Sequence, residues 1–250
     1  MKTIINRYGK TILVIAGLIL FYEILTDGTH TLNSVVFPGV GKVARAYVQS
    51  FPELCRGLQS SLNKLVPAYL LALVIGISSG LYIGQRENLR MTMAPIFNGL
   101  SPIPATLLTT YAITVFPTFL AASRFIIFIG CLWPILNGTI SGVTLIEKNY
   151  LDSARTLELK GLVLTLKVIL PGALPTVLNG AKTALNASFL LLIVAEMFGS
   201  SSGLGYFVQY YTDFSKFDKV LAGILYMSLF IILVMQAFEM LRAYLLRWRK

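Results

Sequence analysis

Leu62-Asn63-Lys64-Leu65-Val66-Pro67-Ala68-Tyr69-Leu70-Leu71-Ala72-Leu73-Val74-Ile75-Gly76-Ile77-Ser78-Ser79-Gly80-Leu81-Tyr82-Ile83-Gly84 carries a single charge, Lys64, in an otherwise apolar run. A helix of about 20 mostly apolar residues crosses the roughly 30 Å of bilayer hydrocarbon, so this stretch predicts a membrane span. Gly76, Gly80 and Gly84 recur every four residues. That spacing leaves a strip without side chains down one helix face, where another helix can approach closely.

Working outward from this run, five further stretches are long and apolar enough to cross: about 10–26, 91–115, 118–142, 174–198 and 220–243. With 62–84 they predict an all-α integral membrane protein, a six-helix transmembrane bundle in which residues 1–250 form one transmembrane domain. The composition agrees, at 56% hydrophobic and 13% charged, against roughly 25% charged in soluble chains.

Twenty-one Lys and Arg against eleven Asp and Glu give a net charge of +10. A nucleic-acid binder would gather such charge into one stripe, whereas here it lies in short clusters between apolar runs, so no nucleic-acid partner is predicted. Basic residues accumulate on the cytoplasmic side of membrane proteins. With the N-terminus inside, the inner segments hold thirteen: Lys2, Arg7, Lys10, Arg86, Arg90, Lys148, Arg155, Lys160, Lys167, Arg242, Arg247, Arg249 and Lys250. The outer segments hold six: Lys42, Arg45, Arg56, Lys64, Lys216 and Lys219. Both termini are therefore predicted to be cytoplasmic. The basic start before Thr11 to Leu25 also suits a secretory signal peptide, but Thr26-Asp27-Gly28 offers no small-x-small cleavage site, and an uncleaved first helix is expected.

Polar residues inside spans are functional suspects. Asn179, Lys182, Thr183 and Asn186 fall at helical spacings of three and four, on one face of the fifth span. They either bind neighbouring helices, with Lys182 reaching to the inner surface, or line a solute path together with Asn137. Lys182 is the one candidate for a fixed anion site, and Glu196 is expected near the outer mouth. In the third span Pro95 and Ser101-Pro102-Ile103-Pro104 interrupt the helix. The break either lines a cavity or shapes the approach into the membrane. Glu23, Arg124 and Glu239 lie near span ends, where solvated or interhelical ion pairs are expected.

Between spans four and five lies the polar stretch from Glu147 to Gly161. Asn149 with Asp152 three residues on suggests a partial capping box, and Gly161 suggests a stop, predicting a helix over about 150–161. So short and polar a helix is not stable alone. Its own bundle or a cytoplasmic partner must hold it.

This segment resembles the coupling loop of bacterial ATP-binding-cassette importer permeases, whose pattern is Glu-Ala-Ala, three residues, Gly, nine residues, then Ile-x-Leu-Pro. Asp152-Ser153-Ala154 is similar to the opening, Arg155-Thr156-Leu157 follows, Glu158 stands where the pattern has Gly, and Val168-Ile169-Leu170-Pro171 closes it. The glycine's position is thus filled by a charged residue, with Gly161 close by. Phe37-Pro38, Gly76 to Gly84, Pro102-Ile103-Pro104, Gly138 to Val143, Gly203-Leu204-Gly205-Tyr206 and the closing Arg247-Trp248-Arg249 resemble, in the same order, elements of the nitrate, sulfonate and taurine type of permease.

The resemblance implies a multi-pass subunit of the bacterial plasma membrane that imports a small anion or organic nutrient. It implies cytoplasmic ATPase subunits, an extracytoplasmic substrate-binding protein and a second permease copy as partners, with membrane lipid around them. ATP and Mg would bind in the ATPase and no cofactor in this chain, since Gly41-Lys42 lacks the remainder of a phosphate-binding loop. Residues 152–158, Gly161 and Pro171 would couple to the ATPase, and Gly203, Gly205 and Tyr206 would lie at the outer mouth. A secondary transporter or channel would also be a small bundle, but the sequence shows no inverted repeat of interrupted helices. An intramembrane enzyme would need a nucleophile with a base, or a metal cluster. The lone His30 with Cys55 and Cys131 makes both poor candidates, so no enzyme activity is predicted.

Overall fold

A computed structural model describes residues 13, 14, 16–28 and 33–249. Lys2, Arg7, Lys10, His30, Lys250 and positions 10–12 and 15 of the expected first span lie outside them. The described residues form helices joined by short turns, with no strand. The helices are α1 (Ala16–Thr26, its last turn merging into a π-helical turn Ile24–Gly28), α2 (Val40–Gly84), α3 (Glu87–Leu100), α4 (Thr109–Val115), α5 (Phe119–Thr144), α6 (Lys148–Thr156), α7 (Gly161–Leu164), α8 (Leu170–Gly199), α9 (Leu204–Asp213) and α10 (Phe217–Leu245). Four continuous helices, Val40–Gly84, Phe119–Thr144, Gly161–Gly199 and Phe217–Leu245, are long and apolar enough to cross a membrane.

Three of the expected spans take different bounds. The span expected at 62–84 is the second half of α2, a helix of 45 residues. Its first half holds Lys42, Arg45, Glu53 and Arg56, too polar for a hydropathy window, but Val43, Ala46, Ser50, Leu54, Gly57 and Ser61 are buried at helical spacing. The span expected at 91–115 is divided. Pro102 and Pro104 supply no backbone donor and disfavour helix before them, so α3 ends at Leu100, and a 3₁₀ turn at Ala105–Leu108 leads into α4. The span expected at 174–198 begins earlier, because α7, a π turn at Thr165–Ile169 and α8 run on without interruption. The π turn ends two residues before Pro171, close to the backbone position whose donor the proline lacks.

α5 forms the centre, packed along α2 on one side and α8 on the other. Both contacts are backbone-close. A Cβ added at Gly76, Gly80 or Gly84 would lie 2.8, 2.6 or 2.8 Å from side-chain atoms of Ile135, Thr139 or Val143. On the other side, a Cβ at Gly138 would lie 2.9 Å from Gly180 Cα and one at Gly142 2.9 Å from the Ala173 carbonyl. The hydrophobic core gathers here, with Ala72, Ile126, Ile127, Cys131, Ile135 and Ala184 fully buried. α10 closes the bundle against α2 and α9.

Candidate functional site

The short polar helix α6 begins after Glu147, with no side-chain cap. Asn149 lies inside its first turn, and its carbonyl accepts the Ser153 hydroxyl at 2.8 Å. The end differs from the expected stop at Gly161. Leu159 N–H donates to the Ala154 carbonyl at 3.0 Å and Glu158 N–H to the Arg155 carbonyl at 2.9 Å, the paired bonds of a Schellman cap. Glu158 fills the left-handed position of that cap, with φ +56°. Because Glu158 makes the turn, the helix ends before Gly161, whose φ of +57° instead opens α7.

Of α6 only Ala154 is buried. Asp152 pairs with Arg155 at 3.1 Å on the exposed side. Tyr150 and Leu157 are 63% and 71% exposed, and both line a groove beside the helix. Two open grooves flank the helix. One, of about 440 Å³, lies between Tyr150, Ala154, Leu157, Pro171 and Trp248; the other, of about 390 Å³, is lined by Gln85, Arg90, Leu151, Arg155 and Leu164. The Thr165 hydroxyl donates to Gln85 Oε1 at 3.1 Å, joining the turn after α7 to the end of α2. α6 thus lies beside the turn Thr165–Ile169 that leads into α8, with the two grooves between it and the ends of α2, α5 and α8.

Along α8, Asn179, Thr183, Asn186 and Leu190 form an exposed stripe. Lys182 does not stand free beside it. Its ammonium pairs with Glu239 of α10, and Glu239 also lies 3.6 Å from Arg242. This position is thus not an unpaired cation that could hold an anion. Asn137 donates to Ser101 Oγ at 3.4 Å, so it leans on the broken segment rather than on α8. A cleft of about 230 Å³ opens beside that segment, between Ser101, Pro104, Trp133, Ala187 and Leu190.

At the other end of α8, Glu196 is 1% exposed and faces no open channel. Its Oε1 accepts Lys64 Nζ at 2.8 Å and Ser61 Oγ at 2.8 Å, and its Oε2 accepts Gly205 N–H at 2.9 Å. Lys64, 4% exposed, gives its two other protons to Ser200 Oγ at 3.1 Å and the Ser202 carbonyl at 2.6 Å. Ser61 Oγ in turn accepts Leu204 N–H at 3.0 Å. Every donor and acceptor of the pair is met, as burial of charge requires. Gly203 and Gly205 make this fit possible. Gly203 has φ +128°, and a Cβ there would collide with the Glu196 carboxylate; one at Gly205 would lie 2.7 Å from the Ile193 carbonyl. Tyr206 follows in α9, its ring 5.7 Å from that of Tyr210.

Residues 72–245 match the family described as binding-protein-dependent transport system inner membrane component. The chain belongs to this family. The permease is 29% identical over 248 residues to a Bacillus subtilis permease named for aliphatic sulfonates transport, covering 98% of this chain and 90% of that one. It is 32% identical to the nitrate import permease of Leptolyngbya laminosa over 69% of this chain and 62% of that one. Among solved structures, a chain of the inward-facing MetNI methionine transporter superposes with a TM-score of 0.66 at 20% identity, over 79% of the permease and 98% of that chain.

The permease is accordingly a membrane-embedded subunit of an ATP-binding-cassette importer, coupled to a separate ATPase. Among its described residues no three His, Cys, Asp or Glu side chains lie close enough to hold a metal ion. Two features of the permease escape a reading by hydropathy. Lys64 counts as an outer-loop charge but is buried opposite Glu196, and Arg124 is engaged by Asn63 of α2. The available signal is that Lys64 and Glu196 are isolated charges in apolar surroundings, and that Ser61 and Lys64 are three residues apart on one helix.

Proposed function

We propose that the permease forms one half of the path for a small anion or small organic nutrient. It would have six membrane passes and both termini in the cytoplasm, and would work as a pair of copies with an extracytoplasmic binding protein. α6, from Asp152 through Glu158, is the handle that the ATPase grips. Closure of the ATPase pair moves α6, and through it the ends of α2, α5 and α8, between inward- and outward-open packings. Asn179, Thr183 and Asn186 line the path from α8, with Asn137 behind the broken third span, and Gly203 to Tyr206 lies at the outer mouth.

The observation that carries this reading is α6 itself: a polar helix beside the turn that leads into α8, between grooves that reach the ends of α2 and α5, with Tyr150 and Leu157 exposed beside one of them. Relatives named for nitrate, bicarbonate and sulfonate transport support the solute class. The exposed stripe suits such solutes through hydrogen bonds, since Lys182 is already neutralised by Glu239. The test is isolation of the intact assembly from its native membrane with a tag on the permease. ATPase chains that co-purify, and that are lost when residues 150–160 are deleted, support the handle. Uptake by the lone chain driven by an ion gradient would remove it.

A further inference from the structure

The buried pair of Lys64 and Glu196 belongs neither to the coupling surface nor to the polar stripe. Burying two charges costs more than their attraction returns unless geometry is very good, so a bundle gains little stability from them over apolar residues of the same size. What the pair adds here is direction. Two of its partners, Ser200 and Ser202, lie in the segment between α8 and α9 and a third, Gly205, in the first turn of α9, and each is held through a specific atom. Ser61 adds a fourth through Leu204 N–H, and Ser60 Oγ meets Ser202 Oγ at 2.8 Å. Gly57 lies beneath, where an added Cβ would be 3.3 Å from the Gly203 carbonyl carbon. The bonds to Ser200, Ser202 and Gly205 could not form with apolar side chains in place of the charges.

We infer that Lys64 and Glu196 are positioning residues for the outer loop: the pair clasps residues 200–205 onto α2 and α8, so that the loop travels with both helices as one body throughout the transport cycle. The exposed turn at Ser201 and Ser202, with the half-buried Tyr206 after it, then keeps a constant register while the inner ends of the helices move. The inference rests on the proposed function for the placement of this loop on the outer face, but the clasp is a property of the chain alone.

The test uses the full-length chain in native membranes, with Cys55→Ser to remove the exposed thiol and the pair Ser60→Cys and Ser202→Cys as reporter. The two hydroxyls are 2.8 Å apart, so the thiols that replace them start in contact. Oxidation with copper phenanthroline is expected to join them rapidly, at rates equal within about twofold in nucleotide-free and vanadate-trapped assemblies, because packed bodies move as units. Lys64→Met is expected to slow the reaction about tenfold or more by leaving Glu196 buried without its counter-charge. Should that variant fail to fold, Lys64→Met with Glu196→Met removes both charges and keeps an apolar core, and the same slowing is expected. Joining at the original rate in the double variant, or a rate that differs between the two nucleotide states by more than about threefold, overturns the clasp. A membrane-impermeant maleimide on Ser201→Cys in intact cells reports separately. Labelling from outside supports the placement of the loop, and labelling only after permeabilisation overturns that placement without touching the cross-linking result.

Discussion

Arg124 supplies the hydrogen bonds that Pro67 withholds from Asn63. In α2 the Asn63 carbonyl would accept from the N–H four residues on, but that residue is Pro67, which has none. Arg124 of α5 fills the gap, with Nε at 3.2 Å and Nη2 at 3.0 Å from the carbonyl, and Nη2 also meets Asn63 Oδ1 at 3.0 Å. A proline inside the helix and an arginine distant in sequence thus form one unit. It joins α2 to α5 next to the residue, Lys64, that engages the outer loop.

Replacement of Arg124 by Met is expected to lower the stability of the permease in detergent by about 1.5–3 kcal/mol, the usual worth of a hydrogen bond to a charged donor. In a Pro67→Ala background, the backbone N–H restored by the substitution can reach the same carbonyl, so the loss should shrink to about half or less. Thermal unfolding of the four proteins of this cycle measures it. Additive effects of the two substitutions would show that the arginine acts elsewhere.

Glu158 gives a second expectation. A left-handed conformation costs an L-residue about 1–2 kcal/mol, and glycine is largely spared. Glu158→Gly should therefore steady the end of α6 and slow amide exchange at Leu157 to Leu159, whereas Glu158→Val should quicken it. Hydrogen exchange on the intact assembly reads both. If Gly speeds exchange, the side chain of Glu158 is a contact rather than a tolerated substitution.

These positions show how far the sequence could be read. α5 and α10 follow from hydropathy and local rules; Thr118, for example, caps α5 by accepting Ala121 N–H at 3.3 Å. The glycine strip on α2 predicts close approach because it depends on helical spacing alone. Its partners Ile135, Thr139 and Val143 could not be foreseen, since they are set by tertiary registry. The first half of α2 was hidden because an amphipathic helix looks polar on average. Lys64 and Glu196 were hidden from each other by 132 residues of chain. The spacing of the coupling pattern put Glu158 in the glycine's place, but only the backbone reveals that this place is left-handed.

The pair of Lys182 and Glu239 leads to an asymmetric prediction. Lys182→Met leaves Glu239 still beside Arg242 at 3.6 Å. Glu239→Gln instead leaves two cations near each other with no acid between them. Glu239→Gln should thus reduce the folded yield in membranes more than Lys182→Met, and adding Lys182→Met to it should recover part of the loss. Yields measured by size-exclusion of the solubilised permease decide the order; no recovery in the double variant would mean that the two residues act independently.

The tightest helix contact gives the last expectation. At Gly80 an added Cβ would lie 2.6 Å from Thr139 Cβ and 3.2 Å from the Leu136 carbonyl, while at Gly99 nothing lies within 4 Å. Both glycines are helical, so Gly→Ala should gain up to about 1 kcal/mol from helix propensity at each. At Gly99 that gain stands alone. At Gly80 it is opposed by a forced separation of α2 and α5, and overpacking of this kind costs about 1–3 kcal/mol. Gly80→Ala should therefore lower the melting temperature and Gly99→Ala leave it unchanged or higher. Thr139→Ala removes the nearest obstruction except its own Cβ, so it should relieve Gly80→Ala only in part, whereas Thr139→Gly should relieve more. An unaltered melting temperature in Gly80→Ala would mean that the two helices separate freely at this level, and the close packing of α5 on α2 could not then be what transmits movement along the bundle.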